Sequence, residues 1–521
     1  MHGSAERVVF AIAAGALALA ALVPLAALLV GLGAGLAGGR ASELALLGSA
    51  RPWALFAVSL ARAACVTACA LGIGVPLGVL VARSDAPGRR LAFALHVLPG
   101  FLPPYLLALG WFHLVGRTGL LGSERSASVL FSEVGAVAVL TLALAPLATA
   151  LTALGAWGID ASLEEAARVT APPGRTLARI VLPAAAPGIA LAAILIFALA
   201  LSEVGVPMFL RVDAYPAAVL ARLGGIDFAP GEAVVLALPL GILALALLAL
   251  ERRLVVSRDY AVLGLRGAAR APLPLGAWRL PAAGVGLLAA LLAVAPLLAL
   301  GIVATRGGGF ADVSQWIGGS LGVSLLSAAC AATAIVALGV PLAHALVRQR
   351  PGARLVDGLA ILAFVTPAAV LGVGLIETWN RPSTAWVYGT LAIVVVGFVA
   401  RYAAVGLRTN ASVFAQSSAR LEESAAVLGG GYLRRLVGLL VPLHARGLLG
   451  AWLLTLVFCL RDLESAILTY PAGGAPLTVR IFTLEANGPE PVVAALACVQ
   501  VGLIAIALVV LGILARPGAG R

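Results

Sequence analysis

The sequence contains no lysine: all 35 of its basic residues are arginine. A P-loop reaches the β- and γ-phosphates with its lysine, and a Schiff-base enzyme needs a lysine amine, so both classes are excluded. Charge of either sign is scarce, at 11% of residues, whereas 62% are apolar. With a mean hydropathy of +1.07, there is too little polar surface to cover a soluble globule. There are only five cysteines, Cys65, Cys69, Cys330, Cys459 and Cys498. They lie in or near apolar runs and form no C-x-x-C pair; even Cys65 and Cys69, four residues apart on one helix face, read as small packing residues before a metal site. No H-E-x-x-H, no G-x-S-x-G and no clustered His/Asp set is present, which leaves an intramembrane enzyme without a catalytic constellation.

What the sequence does contain is uncharged runs of membrane-crossing length. Twelve are centred in 8–32, 54–82, 91–115, 134–157, 184–206, 232–250, 281–304, 321–346, 358–376, 386–400, 447–468 and 492–514. Barrel strands would be about 10 residues long with alternating polarity; continuous Ala/Leu/Val/Gly runs predict an all-α integral membrane protein. The first run is longer than a signal-peptide core of about 7 to 15 residues and reads as the first membrane helix. Arginines gather in alternate connections: 83–90, 158–182, 251–279, 347–354 and 401–446. This pattern places those connections, and with twelve helices both termini, in the cytoplasm, and it explains the net charge of +12 without nucleic acid. The lipid bilayer is the partner that composition demands.

The chain also repeats itself. SLARAACVTACALGIGVPL (59–77) lies over SLLSAACAATAIVALGVPL (324–342), and Pro104 and Pro367 each interrupt the next run. Two parallel six-helix repeats follow, 1–256 and 257–521, with a pathway expected between them. One further feature recurs. LEEAARVTAPPGRTLARIVLP (163–183) and LEESAAVLGGGYLRRLVGLLVP (421–442) put carboxylates, arginines and a bend into the fourth-to-fifth connection of each half. Asp160, Ser162, Glu164 and Glu165 supply cap-forming and acidic residues at a helix start, Pro172, Pro173 and Gly174 or Gly429, Gly430 and Gly431 break it, and Pro183 or Pro442 opens the next run. A small apolar knuckle flanked by charge has the shape to dock in a partner's groove.

These residues resemble the EAA loop of binding-protein-dependent ABC importer permeases: EAA, three residues, Gly, nine residues, Ile, one residue, Leu-Pro. Glu422, Glu423, Ser424, Ala425, Gly429 and Pro442 keep the full spacing, with Ser424 for Ala, Leu439 for Ile and Val441 for Leu. Glu164, Glu165, Ala166, Ala167 and Pro183 keep EAA and Leu-Pro but are one residue short, and Ala171 stands where glycine is expected, so that Gly174 takes over the bend. The resemblance implies a type I ABC importer permease fold in a bacterial inner membrane. It implies coupling helices docked on two copies of a cytoplasmic ATP-binding subunit, a periplasmic substrate-binding protein, no cofactor and no ATPase site of the chain's own.

LPGFLPPYLLALGW (98–111), with Pro104 and Tyr105, and the segments after the fifth helices resemble the ferric-iron branch, making ferric iron the expected substrate, with thiamine and phosphonate as alternatives. Glu203, Asp462 and Glu464 join Pro104 and Tyr105 as candidate pathway residues, because ionisable side chains near a membrane helix end face a cavity or a partner; the competing readings are that Arg461 and Asp462 simply pair, or that Glu203, Arg461, Asp462 and Glu464 all lie in the headgroup zone. Hard oxygen ligands suit trivalent iron, yet no residue set is assigned as a metal site, and His96, His113 and His344 read as packing histidines. An ion-driven secondary transporter is the competing class; it would hold several carboxylates in mid-membrane and need no duplicated docking loop.

Overall fold

The computed structural model describes residues 2–28, 30, 45–159, 173–224, 229–256, 272 and 274–514. Among these, every regular element is helical. Nine helices are long and apolar enough to cross a membrane: α1 (Ala5–Leu28), α2 (Ala50–Arg83), α5 (Glu133–Trp157), α6 (Gly174–Ser202), α7 (Pro230–Leu254), α8 (Gly276–Arg306), α9 (Ser320–Val347), α12 (Ala392–Phe414) and α17 (Glu490–Leu514). Among the described residues three bent pairs also pass this test, making up to twelve spans if each pair is one span. They are α3 (Arg89–Phe101) with α4 (Pro104–Val115), α10 (Ala353–Val365) with α11 (Ala368–Trp379), and α14 (Tyr432–Leu443) with α15 (Ala445–Leu460). Of the shorter helices between them, α13 (Ala419–Val427) and α16 (Leu477–Glu485) bear on the site.

Prolines explain the largest departures from straight spans. The third run of each half is broken before α4 and α11, with the legs bent by 109° and 107°; Pro103 and Pro367 occupy the N-cap positions there in extended backbone. In the fifth spans the response is milder. A proline removes the N–H that would reach back four residues and crowds that carbonyl, and a widened π turn relieves the crowding. Leu177–Val181 before Pro183 and Leu436–Leu440 before Pro442 are both π turns. Neither proline therefore opens a helix, as the sequence suggested: Pro183 lies inside α6 and Pro442 inside α14. Gly174 likewise stands in the first turn of its helix instead of bending the chain.

A second correction concerns α12, which runs on to Phe414, whereas the apolar run ends at residue 400. Arg401 and Arg408 thus belong to a membrane helix and not to the arginine-rich connection. Both are neutralised: Arg408 Nε and Nη2 donate to Asp357 at 3.1 and 3.2 Å, and Arg401 Nη2 donates to Glu464 at 2.6 Å.

The compact units do not coincide with the halves 1–256 and 257–521. One unit comprises Met1–Ala50, Ala218–Ile242 and Gly308–Arg521, the other Arg51–Ala217 and Leu243–Gly307. Each is completed by the first span of the opposite sequence half. In the first unit Gly374 of α11 lies so close to the Pro24 carbonyl of α1 that no Cβ fits; in the second Gly110 of α4 meets the Pro296 carbonyl of α8 in the same way. The repeat seam near 256 adjoins residues 257–271, which lie outside the described residues.

Candidate functional site

The second knuckle is built from its caps inward. The Ser418 side chain accepts from Arg420 N at the start of α13, and the helix ends in a reciprocal pair of backbone bonds, Gly429 N to Ala426 O and Gly430 N to Ala425 O, both 3.0 Å. This closing pattern requires a left-handed residue at the first position past the cap, and Gly429 supplies it with φ +83°. The spacing from Glu423 to Gly429 is therefore the length of the remaining helix plus its stop. Behind the turn, Tyr432, Leu436 and Leu440 pack on Ala343, Val413, Phe414 and Leu448, which seats the knuckle on the ends of α9 and α12. At its tip Val427 and Leu428 are 87% and 88% exposed.

The two adjacent glutamates of the motif do different things. Glu423 is exposed, and among the described residues its carboxylate has no ion pair. Glu422 is buried and turns back into the protein. Its Oε1 accepts from Arg348 Nε and Nη2 at 2.9 and 2.5 Å, and its Oε2 lies 2.7 Å from His344 Nε2. Burial alone would raise the Glu422 carboxyl, but the hydrogen bonds from His344 and Arg348 and their charge outweigh it and hold the group at about 2. An ionised carboxylate only accepts, so His344 carries its hydrogen on Nε2. His344, read from the sequence as a packing residue, is half of a clasp. Both glutamates line a polar cavity of about 220 Å³ with Glu6, His344, Arg348, Arg350, Ala419 and Arg435, where Arg350 Nε and Nη2 grip Glu6 at 2.6 and 2.9 Å. Ser424 spends its hydroxyl on Arg420 O, and Pro442 is exposed. Asp160, Ser162, Glu164, Glu165, Ala166, Ala167 and Ala171 lie outside the described residues.

Of the candidate pathway residues, Pro104, Tyr105, Glu203 and Asp462 are buried and Glu464 is half-buried. Pro104 and Tyr105 begin α4 inside the core. Glu203 follows α6 and caps the start of the turn after it, its Oε1 accepting from Val206 N at 3.2 Å. Asp462 does the same for the other half, accepting from Ser465 N at 2.7 Å. Its second oxygen takes the Ser465 hydroxyl at 3.0 Å and the Tyr402 hydroxyl at 2.5 Å, with Arg401 Nε 3.5 Å away. Asp462 thus pairs with Arg401, and the Arg461 guanidinium lies over the Phe458 ring. Among the described residues no group of three or more His, Cys, Asp or Glu could hold a metal ion.

Sequence reasoning missed two serines. Ser59 Oγ accepts from Tyr215 N at 2.9 Å and Ser324 Oγ from Leu477 N at 2.7 Å, each fastening the start of α2 or α9 to the segment that follows the fifth span. The signal was present, for these are the first residues of the two aligned repeat stretches.

No family model matches the sequence. Curated relatives do. The chain is 35% identical over 155 residues to a probable molybdenum ABC transporter permease protein of Haloferax volcanii, covering 29% of this chain and 56% of the relative. It is 30% identical over 158 residues to the molybdenum transport system permease protein of Escherichia coli K12, covering 29% and 69%. A spermidine/putrescine transport system permease protein of Haemophilus influenzae is 28% identical over 170 residues, covering 32% and 65%. The chain spans 56% and 60% of the length of the first relatives it matches. A multi-pass helical membrane protein with these relatives falls in the class of transport permeases. The chain belongs to the family of permease subunits of binding-protein-dependent ABC importers, which lack ATPase activity of their own. None of these relatives carries iron in its name.

Proposed function

We propose that this chain is the fused permease of a bacterial ABC importer, with both termini in the cytoplasm, and that it moves a small inorganic ion delivered by a periplasmic binding protein. The observation that carries the reading is the second knuckle: a capped helix whose tip exposes Val427 and Leu428 beside the outward-facing Glu423. Burying two such side chains in a partner's groove is worth about 1.5–3 kcal/mol each, and a free carboxylate beside them selects a basic contact. The occupant is a cytoplasmic ATP-binding subunit, one copy per knuckle, the first resting on Glu164, Glu165, Ala166 and Ala167.

Replacing Val427 and Leu428 together by aspartate is expected to abolish co-purification of the ATPase while the chain still inserts and folds; undiminished capture would sink the docking reading. Uptake by the chain alone in proteoliposomes under an ion gradient would instead establish a secondary transporter.

For the cargo, the sequence reading is ferric iron, and a second reading is an oxyanion such as molybdate. The second is favoured by the carboxylates: Glu203 and Asp462 are spent on helix caps, and Glu464 on Arg401, so they offer no ready hard-oxygen ligand set. Titrating the cognate binding protein with molybdate and with ferric citrate separates the two.

A further inference from the structure

The knuckle and the outer segment of the second half are tied to opposite ends of one helix. Near its last turn α9 grips Glu422 through His344 and Arg348. Near its first turn Ser324 accepts the buried N–H of Leu477, which opens α16. Ser324 and His344 are separated by about 30 Å at 1.5 Å per residue. Between them the helix is braced against α12. A Cβ on Gly339 would meet Asn410 and Gly406, a Cβ on Gly406 would meet Ile335, and Asn410 Nδ2 donates to Val336 O at 3.1 Å. Such close contact with α12 stiffens the stretch from Ile335 to Gly339, and Pro341 lies between that brace and His344.

We propose that α9 is the lever of the second half, with Glu422 and Ser324 as its two positioning residues: Glu422 converts movement of the docked knuckle into movement of α9, and Ser324 hands it to the segment at Leu477. This rests on the importer reading above. Neither residue is assigned a contact with ATPase or cargo; each acts through the helix it fastens.

The test uses the full chain, its five cysteines replaced by alanine and Ala472→Cys added in the exposed turn before Leu477. It is reconstituted with the ATPase pair, and the readout is the change in maleimide labelling rate on trapping with ATP and vanadate, normalised to captured ATPase. Glu422→Gln and Ser324→Ala are each expected to shrink that change about fivefold or more, while the double variant is no worse than either single, because a lever loosened at one end transmits nothing further when loosened at the other. Ser324→Thr, which keeps the hydroxyl, and Glu422→Asp, which keeps the charge, restore the response in part; a purely structural loss would instead follow the thermal stability of each variant. A full response in Glu422→Gln, or singles whose effects multiply in the double, overturns the lever. Failure of the unsubstituted chain to capture any ATPase is a different outcome: it refutes the docking reading and the lever with it.

Discussion

Each half ends its fifth span on a capping carboxylate, Glu203 in one and Asp462 in the other, but the two halves surround that carboxylate differently. Counting back from Thr149 and Asn410, which face the paired glycines Gly74 and Gly339, the first half has Leu140 and Thr141 where the second has Arg401 and Tyr402. The second half therefore carries a guanidinium in the middle of a membrane helix, bound to Glu464 and close to Asp462. The fifth spans diverge as well: α6 is continuous, whereas α14 and α15 are bent by 80° at His444. At the arginine-rich end the difference recurs. Val79 and Arg83 occupy the positions of His344 and Arg348 in the repeat register, and Arg83 Nη2 binds Ala156 O at 2.6 Å. The shared features are backbone devices: the cap, the serine bond, the π turn and the glycine–proline contact. Found on one side are the contacts of Arg401 and Glu422 and the 80° bend of the fifth span. The two repeat stretches thus share local backbone devices and differ in what fastens the spans around them.

The ionic side of the comparison is the easiest to break. Arg401→Met leaves the buried Asp462 and the half-buried Glu464 without their cation, and removing one partner of a buried ion pair costs about 3–5 kcal/mol. Leu140→Met in the first half is a volume-conserving exchange expected to cost under about 1.5 kcal/mol. Thermal unfolding of the purified chain in detergent measures both. Equal losses would mean that the Arg401 network contributes no more than ordinary packing.

The knuckles give the next largest contrast. Gly429 has φ +83°, so Gly429→Ala places a Cβ in left-handed backbone at a cost of about 1–2 kcal/mol. Gly174 sits in a helical turn with open space around it, so Gly174→Ala is expected to stabilise by about 0.5–1 kcal/mol. Opposite signs in the same unfolding assay support a bend at Gly429 and none at Gly174; a destabilised Gly174→Ala would restore Gly174 as the bend of the first knuckle.

Much of this was legible in the sequence because it depends on one-dimensional quantities. Run lengths located the nine long helices and the three bent pairs, the repeat pointed to paired prolines, and motif spacing marked the place of Gly429. What escaped depends on side-chain direction. Glu422 and Glu423 are adjacent letters, but neighbouring residues on a helix point about 100° apart, so one turns into the protein and the other faces out. Arg401 ended an apolar run in the sequence, and only its partners from residues 462 and 464 explain why the helix continues past it. The exchange of α1 and α8 between the compact units was equally hidden, since run length says nothing about which neighbours a span packs against.

The smallest predicted effect concerns pH and the Glu422 clasp, which the first half, with Val79 in place of His344, does not share in that form. The Glu422 carboxyl is held at about 2 against an ordinary value of 4.5. Because the folded value is the lower one, the stabilisation is fully present above 4.5 and is lost as pH falls from there towards 2. Proteolytic cleavage at the exposed Val427–Leu428 tip is therefore expected to stay constant between pH 5 and 8 and to rise only on acidification below 4.5. In Glu422→Gln the acid-dependent rise disappears and the rate is high throughout. If the unsubstituted tip already loosened between pH 6 and 7, the Glu422 carboxyl would not be the group that fastens it.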